Sequence, residues 1–439
     1  MNAYQSWGRY PRVEQDARPL NWRHQPLPLA GLEGAVLAYG QGRSYGDACL
    51  NAGGALLPTR RLDHFLAFDP QTGLLRAEAG VSLAEVLAFC QPRGFFLPVT
   101  PGTRYVTLGG AVANDVHGKN HHRQGTFGRH VTRLELLRSD GSRTLCSPEE
   151  NPGLFAATIG GLGLTGLITW LELRLLPVVN PGLAVENLRF GGLDEFFALS
   201  ADSDAGYDYT VAWVDCLAKG EDRGRGVFMR GNHLETPPQK QPKPPRRGLM
   251  IPCQLPGWLL NPFSLKAFNA LYYHWPRREA VSQVLDPLGF FYPLDAVDNW
   301  NLIYGPGGLV QFQCVLPLDD AATVLAEMLT LTARSGMASF LAVLKVFGEL
   351  PSPGLLSFPR AGATLALDFP IRGRKTWDLM AELTRLVRQA GGSMYPAKDA
   401  CMSPEDFAAF YPNHHELETW RDPRFSSSFW RRVTGQEGQ

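Results

Sequence analysis

The sequence lacks paired cysteines, a surplus of charge of either sign, and any long apolar run. Its seven cysteines are scattered and none belongs to a C-x-x-C pair, which argues against a disulfide framework or a cysteine zinc site. The 42 basic and 42 acidic residues balance, so there is no electrostatic reason to expect nucleic-acid binding. No run reaches the ~20 apolar residues that span a bilayer, and no signal-peptide pattern opens the chain. We therefore expect a soluble or peripheral protein of a reducing compartment.

What the sequence does contain is glycine and proline, at 46 and 34 of its 439 residues. Such a composition is typical of many turns, and the length predicts two or three structural units. The apolar run 34–39 ends directly in the glycine-rich residues 40–47, which indicates a strand that leads into a turn. The pattern also predicts strands at 74–79, 131–137 and 167–175, a hairpin turn at 139–142, and a helix that Ser82 caps and that stops at Gly94.

The second half of the sequence predicts a separate α+β layer, with a strand at 309–317, a helix at 321–334 and strands at 339–347 and 364–371. Residues 181–236 are aromatic-rich and irregular, and the proline-rich residues 236–247 predict a mobile loop or linker. The apolar segment 248–275 is broken by prolines. It is compatible with a lid or a membrane-surface patch, but an irregular packed loop is the interpretation we prefer.

Two glycine-rich segments carry the candidate chemistry. In the first, residues 40–46, glycines let the backbone approach a bulky anion, while Ser44 adds a hydroxyl donor and Arg43 a charge. A plain turn explains the same residues, so this segment alone does not establish phosphate binding. Because its G-x-G is not followed by x-x-G at the start of a helix, it argues against a Rossmann nicotinamide site.

The second segment, residues 101–128, concentrates polar side chains between two glycine turns. His117 and His121 are four positions apart, but Gly118 and Asn120 disfavour the helix that would aim both at a metal. We therefore expect no metal site and interpret the segment as an active-site wall. A structural hydrogen-bonding role explains His121 and His122 equally well. The six polar residues are Asp115, His117, Lys119, Asn120, His121 and His122.

These segments, together with the glycine-rich residues 158–168, resemble in order and spacing the FAD-binding domain of the vanillyl-alcohol oxidase (PCMH-type) flavoprotein superfamily. Within it, the sequence is similar to the decaprenylphosphoryl-β-D-ribose 2′-oxidases, the flavin subunits of the cell-wall arabinose epimerase. The resemblance covers nearly the whole chain apart from residues 180–300. It rests on GRSYGD at 42–47, PGTR at 101–104, HGKNHH at 117–122, GLTG at 163–166, YGP at 304–306, DFPI at 368–371 and YPAKD at 395–399.

The resemblance implies an α+β fold of two domains, a PCMH-type FAD-binding domain at 1–178 and a substrate domain on an antiparallel sheet at 179–392, with a mobile loop at 236–262. Residues 393–439 are then a segment that returns to the FAD domain. The FAD is expected to be non-covalent, because relatives with a covalent flavin often carry His in place of Arg43. The implied FAD contacts are Ala38, Tyr39, Gly40, Gln41, Gly42, Arg43, Ser44, Tyr45, Gly46, Asp47, Ala48, Gly102, Thr107, Leu108, Gly109, Gly110, Asn114, Asp115, Val116, His117, Ile168 and Tyr395.

The resemblance also implies a substrate side rich in lysine. Alcohol oxidation requires the hydroxyl proton to leave as hydride passes to flavin N5, so a base must lie beside the hydroxyl. Lys398 is the first candidate, followed by Lys119 and His117, while Lys345 is assigned to a phosphate. The family usually has Cys where this chain has Ala366, so its thiol-directed inhibitors should not label this site. The implied substrate residues are Gln313, Lys345, Thr364 and Lys398.

The implied function is FAD-dependent oxidation of a sugar hydroxyl, the 2′-hydroxyl of a polyprenyl-phosphoryl pentose. A separate NAD(P)-dependent short-chain reductase would reduce the ketone and complete an epimerisation in cell-wall biosynthesis, and a quinone or oxygen would take the electrons. We expect a cytoplasmic enzyme, with a peripheral position at the inner membrane as an option. Two alternatives stay open: an enzyme of this fold that oxidises a soluble alditol or sugar acid, and a flavin-free binding protein.

Overall fold

The computed structural model describes residues 4–236, 249–257, 260–276, 282–337 and 339–436. The first part of the chain forms short strands and helices separated by glycine turns, as its alternating apolar runs predict. Its strands are β1 (Asp16–Ala17), β2 (Val36–Tyr39), β3 (Ala55–Pro58), β4 (Phe65–Asp69), β5 (Leu74–Glu78), β6 (Phe95–Phe96), β7 (Val131–Leu137), β8 (Arg143–Cys146), β9 (Leu167–Arg174) and β10 (Leu176–Pro177). Its helices are α1 (Leu83–Cys90), α2 (Leu108–Ala113), α3 (His121–Gln124) and α4 (Pro152–Thr158).

Two sheets organise this part. A three-stranded parallel sheet, in the order β1-β3-β2, ends at the glycine turn that follows β2. A five-stranded antiparallel sheet has the order β4-β5-β9-β7-β8. The predicted hairpin turn at 139–142 is confirmed and joins β7 to β8, and β7 also pairs with β9. The predicted capping box of α1 is confirmed as well, since Ser82 accepts from the Glu85 N–H and the Glu85 side chain accepts from the Ser82 N–H.

The second part contains longer elements. Its strands are β11 (Asn180–Phe190), β12 (Tyr209–Val214), β13 (Gly226–Leu234), β14 (Leu249–Met250), β15 (Gln283–Leu285), β16 (Val297–Asp298), β17 (Leu309–Leu316), β18 (Ala342–Phe347), β19 (Gly362–Pro370) and β20 (Ser393–Met394). Its helices are α5 (Leu193–Ser203), α6 (Pro262–His274), α7 (Pro287–Phe291), α8 (Leu318–Ser335) and α9 (Arg374–Gln389), followed by α10 (Pro404–Phe410) and α11 (Ser428–Val433).

An eight-stranded antiparallel sheet dominates this part, in the order β15-β11-β13-β12-β18-β19-β17-β20. The predicted strand, helix, strand, strand series is confirmed as β17, α8, β18 and β19. Side chains alternate between the two faces of a strand, so β17 sends Phe312 and Cys314 into the hydrophobic core that includes α8 and α9. Gln311 and Gln313 of the same strand point to the opposite face, where they line a cavity.

Two predictions about the second part are wrong. Residues 181–236 are not irregular, because they form β11, α5, β12 and β13. The segment 248–275 is not an irregular loop throughout, because Asn261 caps α6 and the proline at 262 occupies the first helical turn, where its missing N–H costs nothing. Of the mobile loop predicted at 236–262, residues 237–248 and 258–259 lie outside the described residues, and the described part contains β14 and the start of α6.

The two parts are joined by shared packing. The core of the five-stranded sheet also contains Leu183, Tyr209 and Phe291 from the second part. The C-terminal residues return to the first part, where Phe425 forms a parallel bridge with Val36. These contacts establish an α+β fold whose halves enclose a common space. None of the helices in the described ranges combines the length and the hydropathy needed to cross a bilayer.

Candidate active site

A cavity of about 640 Å³ lies between the loops of the first part and one face of the eight-stranded sheet. The glycine turn after β2 and the first turn of α2 form one stretch of its wall. Strands β12, β13, β17, β18 and β19 contribute side chains, and the 3-10 helix Pro396–Lys398 brings the C-terminal segment to the same space. Residues that are distant in sequence therefore meet around one cavity.

The glycine turn lies too close to its neighbours for side chains. A Cβ on Gly40 would stand 2.4 Å from Oγ1 of Thr107, the N-cap residue of α2. Gly42 has a φ of +62°, and a Cβ there would stand 2.0 Å from the Tyr39 hydroxyl. A Cβ on Gly102 would meet no atom within 4 Å, so this wall position borders open space. The cavity thus has stretches of bare backbone, which a phosphate group can approach closely.

His117 connects three segments on the cavity wall. Its Nε2 is 2.9 Å from Nε2 of Gln313, which fits an amide N–H that donates to a neutral imidazole. Burial, and then the charge of Lys345, lower the pKa of His117 well below its usual range. Its ring packs against Phe347 and Tyr395, with centroid distances of 4.9 and 5.3 Å. His117 is therefore a neutral residue that fixes the Gln313 side chain.

Three half-buried lysines line the cavity without forming an ion pair in the described part of the chain. None of the ion pairs between described residues involves Lys119, Lys345 or Lys398. Lys119 Nζ donates to the Phe290 carbonyl and lies 4.2 Å from the centre of that ring. Lys398 Nζ lies 4.0 Å from the centre of the Tyr45 ring.

The surroundings of these lysines disfavour the protonated form of their side chains. Burial, assisted by Lys345, lowers the pKa of Lys119 to about 7. Burial also lowers the pKa of Lys345 and of Lys398 to about 8. A desolvated cation without a counter-ion either binds an anion or gives up its proton. This part of the cavity can therefore bind an anion and supply a neutral amine as a base.

Most residues predicted to contact the cofactor lie on the cavity wall. The predicted substrate residues Gln313, Lys345, Thr364 and Lys398 lie there too, together with Lys119. The cofactor candidates on the wall are Ala38, Gly40, Gln41, Gly42, Arg43, Ser44, Tyr45, Ala48, Gly102, Thr107, Gly109, Gly110, Asn114, Val116, His117, Ile168 and Tyr395.

Five cofactor candidates do not line the cavity, namely Tyr39, Gly46, Asp47, Leu108 and Asp115. Asp47 pairs with Arg432 at 2.7 Å, and Asp115 accepts a hydrogen bond of 2.5 Å from the Ser357 hydroxyl. Leu108 is completely buried in the core beneath α2. These five residues lie behind the lining of the cavity, and their direct contact with the cofactor stays a prediction.

Sequence reasoning missed the part of the wall that β12 and β13 provide. Val211 and Trp213 of β12 and Met229 of β13 line the cavity. All six residues of β12 are buried, because the strand has the cavity on one face and core on the other. Without an alternation of polar and apolar residues, no sequence pattern marks the cavity side of such a strand.

The histidines after His117 pack between the two parts of the chain. The helix α3 begins only at His121, so His117 and His121 do not share a helix face. The His121 ring lies 4.4 Å from the Phe347 ring, and burial lowers the pKa of His121 to about 3. His122 Nε2 is 2.9 Å from the Tyr207 carbonyl oxygen. Both side chains are engaged in interdomain packing.

Comparison with known proteins identifies the class of this site. Residues 31–147 match the model of a family described as an FAD binding domain. The matched range contains the glycine turn, α2 and the segment around His117 and Lys119. The chain is therefore an FAD-dependent oxidoreductase with a PCMH-type FAD-binding fold.

Full-length relatives identify the family. A decaprenylphosphoryl-beta-D-ribose oxidase of Mycolicibacterium smegmatis is 37% identical over 414 residues, which cover 91% of this chain and 89% of that protein. An uncharacterized protein of Streptomyces coelicolor is 35% identical over 375 residues, 80% of this chain and 100% of that protein. A putative D-arabinono-1,4-lactone oxidase of Neurospora crassa is 31% identical over 122 residues, 27% of this chain and 22% of that protein. The chain belongs to the decaprenylphosphoryl-β-D-ribose oxidase family.

The cavity residues fit FAD. Stretches of bare backbone at Gly40, Gly42 and Gly102 suit the pyrophosphate. The cavity extends from these glycines to His117 and Tyr395. The residues that would hold the cofactor are 40–45, Thr107, Gly109, Gly110, Asn114, Val116 and His117. The lysine-rich remainder of the wall is then left for the substrate.

Proposed function

We propose that this enzyme oxidises a secondary hydroxyl of a sugar carried on a polyprenyl phosphate, with the 2′-hydroxyl of a pentose as its target. The observation that carries the proposal is the set of three half-buried lysines that line one cavity, none of which forms an ion pair among the described residues. A sugar phosphate supplies the anion that such lysines favour. The Mycolicibacterium smegmatis relative is named for decaprenylphosphoryl ribose, which supports a pentose.

The wall residues divide the binding and the proton chemistry between them. FAD, when bound, supplies the acceptor for the hydride that leaves the sugar carbon. Lys398, with a pKa of about 8, takes the hydroxyl proton as a neutral amine. Lys345 and Lys119 bind the phosphate as ammonium groups, which the phosphate charge stabilises. Gln313, held by His117, orients the sugar.

An apolar surface beside the cavity suits a lipid-linked substrate. The helix α6 buries Leu265 and Asn269, and turns Phe263, Leu271 and Trp275 outward with 84%, 64% and 80% of their surface exposed. A helix that presents large apolar side chains to solvent is typical of the membrane interface. We call these three outward residues the α6 apolar face.

The α6 apolar face is continuous with the cavity mouth. Met250 of β14 is 63% exposed and Tyr272 of α6 is 37% exposed, and both also line the cavity. A polyprenyl chain that leaves the cavity past these two residues stays in contact with apolar surface. We propose that the α6 apolar face rests on the bilayer surface, so that the lipid tail remains in the membrane during the reaction.

The proposed reaction requires two further partners, one that consumes the ketone product and one that accepts the electrons. A ketone at the oxidised carbon would be reduced by a separate NAD(P)-dependent short-chain reductase, and the two steps together would epimerise the sugar for cell-wall biosynthesis. A quinone or oxygen would accept the electrons. A quinone is the acceptor that a membrane-surface position favours, because it dissolves in the same bilayer.

The visible spectrum of the purified holoprotein tests this function. Under anaerobic conditions, a polyprenyl-phosphoryl pentose should bleach the flavin band at about 450 nm, whereas a free alditol or sugar acid should not. Bleaching by the free polyol and none by the lipid-linked sugar would favour a soluble substrate instead. The variant Lys398→Ala should keep the oxidised spectrum but lose bleaching, and bleaching at the original rate would remove Lys398 from the reaction.

Lys345→Met tests the phosphate assignment. The half-buried ammonium of Lys345 should contribute a charge-assisted contact to the phosphate, so KM for the phosphorylated substrate should rise about tenfold or more. KM for a dephosphorylated pentoside, which has no anion to bind, should change little. An equal rise for both substrates would show that Lys345 shapes the cavity without binding the phosphate.

A further inference from the structure

A carboxylate lies directly behind the cavity wall. Asp368 of β19 is fully buried and belongs to the strand face whose residues Thr364 and Ala366 line the cavity. One of its carboxylate oxygens accepts a hydrogen bond from the Gln311 amide. The Asp368 backbone N–H donates to the Ser339 hydroxyl at 3.0 Å, which fixes the strand at this point. Its second carboxylate oxygen has no hydrogen-bond partner among the described residues.

Tyr45 and Gln311 connect this carboxylate to Lys398, because Gln311 donates to Asp368 and is also hydrogen-bonded to the Tyr45 side chain. Lys398 Nζ lies over the Tyr45 ring, and Tyr45 packs in a buried cluster with Trp300 and Tyr304. Asp368 and Lys398 influence each other through charge. The Lys398 charge favours the ionised form of Asp368, and the Asp368 charge favours the protonated form of Lys398.

Burial disfavours the charged form of both groups, and their mutual attraction opposes this effect. Burial raises the pKa of Asp368 to about 7, against the hydrogen bond from Gln311 and the charge of Lys398. Burial lowers the pKa of Lys398 to about 8, against the charge of Asp368. The other titratable groups around the pair are His117 and Lys345 on the Lys398 side, with Tyr45, Tyr304 and Cys216 on the Asp368 side.

We propose that Asp368 is a positioning residue for proton removal, whose fixed carboxylate stabilises the ammonium form of Lys398 that arises when the substrate hydroxyl loses its proton. This inference rests on the proposed oxidation of a sugar hydroxyl. In that step the O–H bond breaks and its proton goes to the Lys398 amine. The hydrogen of the C–H bond leaves with the bonding electron pair as a hydride, for which bound FAD would supply the acceptor, and the C–O bond becomes a carbonyl. Asp368 gains and loses no atom, since it acts by charge alone.

The variant Asp368→Asn tests this role because the amide keeps the size of the side chain and can still accept from Gln311. Without the carboxylate charge, Lys398 should lose its proton more readily. The acid limb of the rate of flavin reduction against pH should therefore move down by about one unit. The maximal rate should fall by up to about tenfold, because the amine is a weaker base. Substrate binding and the oxidised flavin spectrum should change little.

Two variants serve as controls. Asp368→Glu keeps a carboxylate and should leave the acid limb near its original pH, with part of the rate restored. Ser339→Ala removes the contact to the Asp368 backbone but keeps the charge, so its acid limb should also stay in place. If the acid limb moved equally far in Ser339→Ala, loosening of β19 would be enough to cause the shift without any loss of charge, and the proposal would be overturned.

The remaining outcomes separate this inference from the proposed function. The experiment uses any sugar alcohol that bleaches the wild-type flavin, and an unmoved acid limb in Asp368→Asn overturns the role of Asp368 alone. A wild-type enzyme that no sugar alcohol reduces overturns both proposals. If Asp368→Asn fails to fold, Gln311→Met gives the same test. Losing the donor raises the pKa of Asp368 and neutralises it, so the limb should move the same way, and an unmoved limb counts against the proposal.

Discussion

At the scale of single residues, Arg43 shows how one side chain in the glycine turn affects cofactor attachment. Its guanidinium carbon lies 4.1 Å from the centre of the Trp7 ring, and its Nε donates to the Tyr105 carbonyl at 3.3 Å. A guanidinium is not a nucleophile toward a flavin ring. Cys49 also lines the cavity, but burial raises the pKa of this thiol to about 12, so it stays protonated at neutral pH.

We therefore predict that the flavin is bound without a covalent bond. Precipitation of the holoprotein with trichloroacetic acid should release all of the yellow colour into the supernatant. The variant Cys49→Ser should give the same result and the same flavin content per chain. Colour that remains with the precipitated wild-type protein would contradict the prediction. If that colour were absent from precipitated Cys49→Ser, the covalent bond to the flavin would be assigned to Cys49.

At the scale of elements, the C-terminal helix α11 holds together the two loops that frame the cavity. Arg432 of α11 donates to Asp47 at 2.7 Å and to Asp399 at 2.9 Å. Asp47 follows the glycine turn, and Asp399 follows Lys398. Both carboxylates are nearly buried, so this one guanidinium compensates two desolvated charges.

The variant Arg432→Met should lower the free energy of unfolding by about 3–5 kcal/mol, since it leaves two buried carboxylates without a cation. Urea denaturation of the holoprotein measures this change, and the affinity for FAD should fall with it. Arg385→Met is the matched control, because the Arg385–Glu382 pair is largely exposed. It should cost less than about 1 kcal/mol. A loss in Arg432→Met no larger than in this control would refute the role of α11.

At the scale of the whole molecule, the proposed membrane contact of the α6 apolar face would orient the enzyme. The cavity opens beside this face, because Tyr272, which lines the cavity, belongs to the same helix and is itself exposed. An enzyme placed with this side on a bilayer would reach a headgroup without removing the lipid tail from the membrane. The free energy of membrane binding would come from the apolar surface of α6 that the bilayer removes from water.

The double variant Phe263→Ser, Trp275→Ser should weaken binding to phospholipid vesicles, as measured by cosedimentation. Turnover of a long-chain polyprenyl-phosphoryl sugar should fall, while turnover of a short-chain soluble analogue should stay unchanged, because the cavity itself is intact. Trp22→Ser is the control, since Trp22 is 65% exposed but lies in the N-terminal part of the chain. Equal loss of vesicle binding in Trp22→Ser would show that the α6 apolar face is not specific.

Local sequence patterns were sufficient to predict the elements whose stabilising contacts join residues close together in the sequence. The capping box at Ser82, the turn at 139–142 and the helix α8 depend on contacts within one element or hairpin, so periodicity and cap chemistry predict them. The helix α6 was harder to predict, because its outward face is apolar and therefore lacks the polar stripe of an ordinary surface helix.

The sequence by itself determined the class of this protein. The glycine turns and the segment around His117 are short patterns whose order and spacing resemble a flavoprotein superfamily, and this resemblance indicated an FAD-dependent enzyme before any contact was known. Only the tertiary structure decided which residues stand around the cavity. Gln311 and Asp368 became partners because β17 and β19 pair in one register, and Arg432 reached Asp47 because α11 returns to the first part. Such contacts join residues separated by tens to hundreds of positions, and no local pattern encodes them.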